Sequence, residues 1–220
     1  LKKIKKLNPE NVLVEKILEN DISNLRLMKK EKYVNFYVNF PYRMTAIFKL
    51  LKKKINFKNV IKFKVKTINW NLASNSIHYI DFFSYIFKKN PHKIYCKNLK
   101  KIRSKRIGYV DFEGKILANF KNFKLEIINI LDESNKEKTV KIEIFLNNKK
   151  KIFYKIEDKV IKLYSQIYKT KFDYQSSLTK IFYLQLLKKK KINLPLLSNH
   201  IDLNIMYLKS FTKNKKIMIT

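Results

Sequence analysis

Apolar residues recur along this chain at two spacings, every second residue in some stretches and every third or fourth in others. "NVLVEK" (11–16) is a short β-rich run that ends in charge, and "NDISNLRLMKKEK" (20–32) has helical spacing with Asn20 or Asp21 as an N-cap. "YVNFYVNF" (33–40) reads as a second strand closed by Pro41, and "RMTAIFKLLKKK" (43–54) as another helix. Strands and helices in this alternation predict the tail of an open α/β sheet.

The pattern changes after residue 59. "VIKFKVKTI" (60–68) alternates apolar and basic residues, as a strand with one wet face does. The apolar stretch "NWNLASNSIHYIDFFSYIF" (69–87) reads as a helix. Five strand candidates follow with short links, at 106–120, 123–131, 139–148, 150–157 and 159–167, and predict an antiparallel meander. Two helices, 175–190 and 196–211, are separated by a break at "NLP" (193–195). The predicted fold class is α+β, an α/β unit over 1–58 and then a mostly antiparallel sheet domain with helices on one face over 59–220.

Composition narrows the function classes. With 45% hydrophobic and 30% charged residues in 220, the chain is globular. Its apolar runs fall short of the roughly 20 residues of a membrane span, and its N-terminus lacks the apolar core of a signal peptide. A cytoplasmic protein with no membrane partner is expected. The single cysteine, Cys96, forms no internal disulfide, and no His, Cys, Asp or Glu set has metal-ligand spacing.

The net charge of +33 invites a nucleic-acid or polyanion reading. The kind of cation argues against it as the main role. Only Arg26, Arg43, Arg103 and Arg106 are arginines, so 46 of the 50 basic residues are lysine. Arginine is the side chain built for forked contacts to phosphate and guanine. Lys, Asn, Ile, Phe and Tyr are abundant together, as AT-rich codon usage produces, and a solvated basic surface is the simpler account.

The candidate chemistry lies in four stretches: "VEKILEND" (14–21), "VNFPYRM" (38–44), "NWNLASNSIHYIDFFSYI" (69–86) and "YQSSLTKIFYLQLLKKKKINLP" (174–195). Their order and wording resemble the glucose–fructose oxidoreductase / inositol dehydrogenase (Gfo/Idh/MocA) family, in particular members associated with surface-polysaccharide sugars. The resemblance implies that 1–58 is the end of a Rossmann-type dinucleotide-binding domain and 59–220 a substrate and oligomerisation domain. It also implies NAD or NADP as cofactor, a sugar or sugar nucleotide as substrate, and a homo-oligomer formed through the sheet. In the family a Glu-Lys-Pro stretch places its lysine between nicotinamide and substrate. Glu15 and Lys16 match it, with Ile17 in place of the proline. A family histidine, usually within Asp-x-x-x-His, exchanges a proton with the substrate alcohol. His78 matches it, with Ser74 where the aspartate would stand. Similarity places Arg43 and Trp70 near the substrate cleft.

The residues agree with that chemistry. Oxidising an alcohol removes a hydride from carbon and a proton from oxygen, so the site needs a group titrating near neutrality beside a fixed cation. Histidine supplies the first and lysine the second. Asp81 lies one helical turn after His78 and would orient the imidazole. Phe82, Phe83, Tyr85 and Phe87 read as core, and His92 and His200 as surface or packing residues.

The largest departure is the lack of a G-x-G-x-x-G turn, since Gly108 and Gly114 are the only glycines. At about 30 residues per βαβ unit, roughly 80 residues of a complete nucleotide domain would precede Leu1. A C-terminal fragment, inactive by itself, is therefore expected. The alternatives are a non-catalytic module that oligomerises through its sheet and a basic polyanion binder.

Overall fold

The computed structural model of the chain describes residues 2–32, 35–104, 106–134, 137–148, 151–155, 160–163, 166–169, 175–188, 192–211 and 218–219. A short helix α1 (Lys2–Lys6) leads into strand β1 (Val12–Val14), helix α2 (Ile22–Lys29) and strand β2 (Phe36–Val38). The two strands pair in parallel, Val12 with Phe36 and Val14 with Val38, around α2 as crossover. Asp21 is the N-cap of α2, its carboxylate accepting from Ser23 N at 2.8 Å. Pro41–Arg43 form a single 3₁₀ turn, and helix α3 (Ala46–Lys54) starts at the N-cap Thr45.

The remainder builds one eight-stranded sheet: β3 (Val60–Ile68), β4 (Lys93–Arg103), β5 (Val110–Phe120), β6 (Phe123–Ile130), β7 (Thr139–Leu146), β8 (Lys151–Lys155), β9 (Val160–Leu163) and β10 (Gln166–Lys169). The strand order is β10-β9-β8-β7-β3-β6-β5-β4, and only the β3–β6 pair is parallel. Helices α4 (Leu72–Phe87) and α6 (Leu197–Phe211) pack on one face, against β4, β5 and β6. The fold is α+β, with a mostly antiparallel sheet and helices on one side. Helix α5 (Gln175–Leu187) packs through Leu178 and Phe182 against Met44 and Leu194.

Two expectations need correction. The strands do not form a simple meander, because β3 lies between β6 and β7. The link from β6 to β7 crosses the end of β3, where Asn69 receives it. Its Nδ2 donates to Asp132 O at 3.0 Å and its Oδ1 accepts from Asp132 N at 2.9 Å. Strand order is a long-range choice that period-two patterning does not encode. Strand β4 was not anticipated at all. As an edge strand it buries little besides Ile94, so its lysines obscure the alternation, and its register shifts between Lys97 and Lys100. Gly114 lies opposite that shift at φ +121, where a Cβ would come within 2.5 Å of the Asn98 carbonyl.

A continuous apolar core joins both parts of the chain. Leu25, Phe36 and Val38 belong to the same cluster as Phe63, Val65, Phe83 and Ile127. Alternate residues of β3 enter this core, while Lys62 and Lys66 on the outer face pair with Glu126 and Glu143 of the neighbouring strands, at 2.5 and 3.3 Å. Helix α4 is buried along most of its length, with Leu72, Ile77, Ile80 and Phe83 wholly enclosed. His78 and Asp81 are thus carried on a core element, where an ionisable group needs a specific partner.

Candidate functional site

The end of β1 delivers Glu15 and Lys16. Asn39, directly after β2, donates its amide N–H to Val14 O at 2.8 Å and its Nδ2 to Glu15 Oε1 at 2.7 Å, which ties the two strand ends together. The Lys16–Ile17 peptide is cis. The Lys16 ammonium reaches α4, donating to the Ser74 carbonyl and, at 3.4 Å, to Asn75 Oδ1. Burial lowers its pKa to about 8; the charges of Glu15 and Asp111 work in the other direction.

The first turn of α4 is capped from a distance. Asn71, the N-cap residue, makes no side-chain cap hydrogen bond. Asp111, on β5, accepts from Ala73 N at 2.8 Å and from Ser74 N at 3.4 Å. Burial raises the Asp111 pKa, and these backbone N–H groups pull it back. Lys16 and Asp111 therefore hold the two polar ends of Ser74, the ammonium on its C=O and the carboxylate on its N–H. Where a carboxylate would stand on the helix at position 74, one arrives from the sheet instead. An Asp near the start of a strand is a weak sequence signal, and nothing local ties it to residue 73.

One turn further along α4, His78 is 7% exposed, with its ring 5.4 Å from that of Phe40 and 5.0 Å from that of Tyr42. Its Nδ1 is buried and, among the described residues, has no hydrogen-bond partner. Desolvation, and next the Lys16 charge, push its pKa down to about 3, so the ring is neutral at pH 7. The expected roles are thereby exchanged: Lys16, at about 8, is the group that titrates nearest neutrality, and the neutral His78 ring offers a hydrogen-bond acceptor beside it.

Asp81 does not orient His78. Its carboxylate, 0% exposed, accepts from Arg43 Nε at 2.8 Å and Arg43 Nη2 at 2.5 Å, and lies 2.8 Å from His200 Nε2. Among the described residues no hydrogen bond joins it to His78. Burial alone would raise the Asp81 pKa; the hydrogen bond from His200 and the charge and hydrogen bonds of Arg43 outweigh it and hold the carboxyl low. His200 is likewise corrected from a surface or packing residue to a buried member of this network, its Nδ1 2.8 Å from Asn204 Nδ2. With an amide donor at Nδ1, the ring carries its proton on Nε2 and donates it to Asp81. The chain separates the pair by 119 residues, so no local spacing announced it.

Arg43 and His200 line a cavity of about 640 Å³ together with Tyr37, Tyr85, Lys88 and Asn199. The Arg43 guanidinium lies 4.8 Å above the Tyr85 ring. Trp70 is placed apart, at the link from β3 to α4. Its backbone N–H donates to Asn129 Oδ1 at 3.1 Å, and its ring packs 5.9 Å from Tyr79. Among the described residues no group of His, Cys, Asp and Glu is placed to hold a metal ion, and no helix is long and apolar enough to cross a membrane.

No protein-family model matches the sequence, and neither does any curated protein. The fold, by contrast, recurs in solved structures. The UDP-N-acetylglucosamine 3-dehydrogenase of Acidithiobacillus ferrooxidans superposes with a TM-score of 0.67 at 9% identity, over 94% of this chain and 72% of that one. A dehydrogenase from Clostridium difficile gives 0.61 at 15%, over 96% and 74%. The scyllo-inositol dehydrogenase of Lactobacillus casei gives 0.57 at 14%, over 93% and 71%. These neighbours are oxidoreductases of the Gfo/Idh/MocA type, so the resemblance carried by the motifs is matched at the level of fold.

Proposed function

We propose that this chain, which shares its fold with sugar and inositol dehydrogenases, supplies the substrate-binding and proton-handling part of an NAD(P)-linked oxidoreductase, acting on a secondary alcohol of a sugar or sugar nucleotide. The observation that carries the reading is Lys16 crossing from the end of β1 to the first turn of α4, one turn before a buried neutral His78. An ammonium has three donors. Two are engaged by Ser74 and Asn75, which leaves one for a substrate oxygen. In the proposed step the neutral His78 ring accepts a hydrogen bond from the substrate hydroxyl and orients it, and Lys16, whose pKa of about 8 lies nearest neutrality, exchanges the proton with the developing alkoxide.

The fit to a dinucleotide is incomplete. A pyrophosphate cradle needs a glycine-rich turn opening a helix. Gly108 lies in the turn before β5 and Gly114 packs against Asn98 within the sheet, so neither opens a helix. Among the described residues neither glycine forms that cradle, and the proposal assigns to this chain's residues the alcohol and its proton, the hydride passing to NAD(P) when bound.

The test is saturation-transfer NMR with a panel of hexoses, inositols and UDP-sugars. Saturable binding that is lost in His78→Ala and Lys16→Ala, with folding intact by circular dichroism, is expected. A panel without binding overturns the reading.

A second reading is favoured by the outer sheet face, which carries Tyr95, Leu117, Ile128 and Phe145 among its charges and supports assembly of copies through the sheet. Light scattering showing a strict monomer would refute it.

A further inference from the structure

At the opposite end of α4, thirteen residues or about 20 Å beyond Ser74, lies a second cavity of about 720 Å³. This volume is within the roughly 300–1,000 Å³ of small-molecule sites. Four phenylalanines converge on it. Phe87, half-buried, has its ring 5.5 Å from Phe120, 5.1 Å from Phe123 and 6.5 Å from Phe57. The other three are 5–9% exposed, so the floor is aromatic and Phe87 offers the most surface of the four.

Around this floor stand Lys58, Lys89, Lys121 and His92, all exposed, and no carboxylate lines the cavity. In a chain this basic, lysines alone mean little. What sets these apart is the aromatic floor they surround and a lining that, among the described residues, holds no carboxylate. Lys62, Lys66 and Lys100 of the sheet have glutamate partners, whereas among the described residues Lys58, Lys89 and Lys121 have none. An apolar aromatic floor under an uncompensated basic rim attracts a ligand that is flat at one end and negative at the other.

We propose that this cavity binds an aromatic organic anion of mononucleotide size, its ring against Phe87 and its charged group among Lys58, Lys89 and Lys121. The site is separate from Lys16 and His78 and does not rest on the oxidoreductase reading.

The test is calorimetric titration of the full chain at 150 mM salt with adenosine 5′-monophosphate and with 1-naphthyl phosphate, using adenosine and inorganic phosphate as half-ligands. At least one of the aromatic phosphates should saturate a single site, with each half-ligand weaker by tenfold or more. The double variant Lys58→Glu/Lys121→Glu should weaken binding at least tenfold. Lys53→Glu/Lys101→Glu, an equal charge change at exposed positions outside the cavity, should leave it within twofold. The bound phosphate should shift the His92 ring resonances and leave those of His78 in place. The proposal is overturned if neither aromatic phosphate saturates, if phosphate alone binds as tightly, or if both double variants lose binding equally.

Discussion

Arg43 and Asp81 meet through two parallel hydrogen bonds, Nε to Oδ2 at 2.8 Å and Nη2 to Oδ1 at 2.5 Å, across the junction between the 3₁₀ turn after β2 and helix α4. The carboxylate is fully buried and the guanidinium nearly so. Removing one member of such a pair strands the other's charge in a low-dielectric interior, at a cost of about 3–5 kcal/mol. Arg43→Ala should lose that much in urea unfolding, and Arg43→Lys should recover only part, because an ammonium lacks the fork. A loss under 1 kcal/mol for Arg43→Ala would show that His200 alone satisfies Asp81.

Lys16 should be the one lysine of this site with a titration near pH 8. Reductive ¹³C-methylation with NMR detection would resolve it from exposed lysines near 10.4, and Lys16→Gln should abolish the signal. The Asp111 charge raises this pKa, so Asp111→Asn should move it further down. An upward shift in that variant would contradict the placement of Asp111 beside the ammonium.

His78 shapes the acid limb of stability. Its pKa is about 3 folded and about 6.5 unfolded, so the unfolded chain binds more protons between those values and stability falls as pH drops from 6.5 toward 3. The slope from this one group approaches about 1.4 kcal/mol per pH unit. His78→Phe should flatten the limb between pH 6 and 4. Asp81, held low, contributes below its ordinary carboxylate range, whereas Asp111, held high, works against the His78 slope just above that range. An unchanged slope in the variant would mean that the imidazole is already solvated.

Without a glycine-rich phosphate turn, the purified chain should neither quench nor shift NADH fluorescence at micromolar concentrations. Clear saturable binding would show that the chain holds a dinucleotide without such a turn.

Local patterns were legible where one face of an element is wet. The lysines of β3 at alternate positions, Asp21 before α2, and the apolar run of α4 each announced their element, because burial on one side writes a period into the sequence. Edge strand β4 wrote no such period. Of the candidate site, Lys16 and His78 were readable through motif order. Asp111 and His200 were not, since their partners lie 38 and 119 residues away.

The sequence by itself determined the elements other than edge strand β4, the α+β class and the residue types available for proton chemistry, because these follow from side-chain period and chemistry within a few residues. Only the tertiary structure decided which polar groups share a buried volume. It put β3 between β6 and β7, turned Asp81 to Arg43 and His200, and brought Asp111 to the start of α4. Burial is the physical reason. Once α4 packs into the core, each buried charge must find a partner wherever the chain's path presents one, and sequence distance does not constrain that choice.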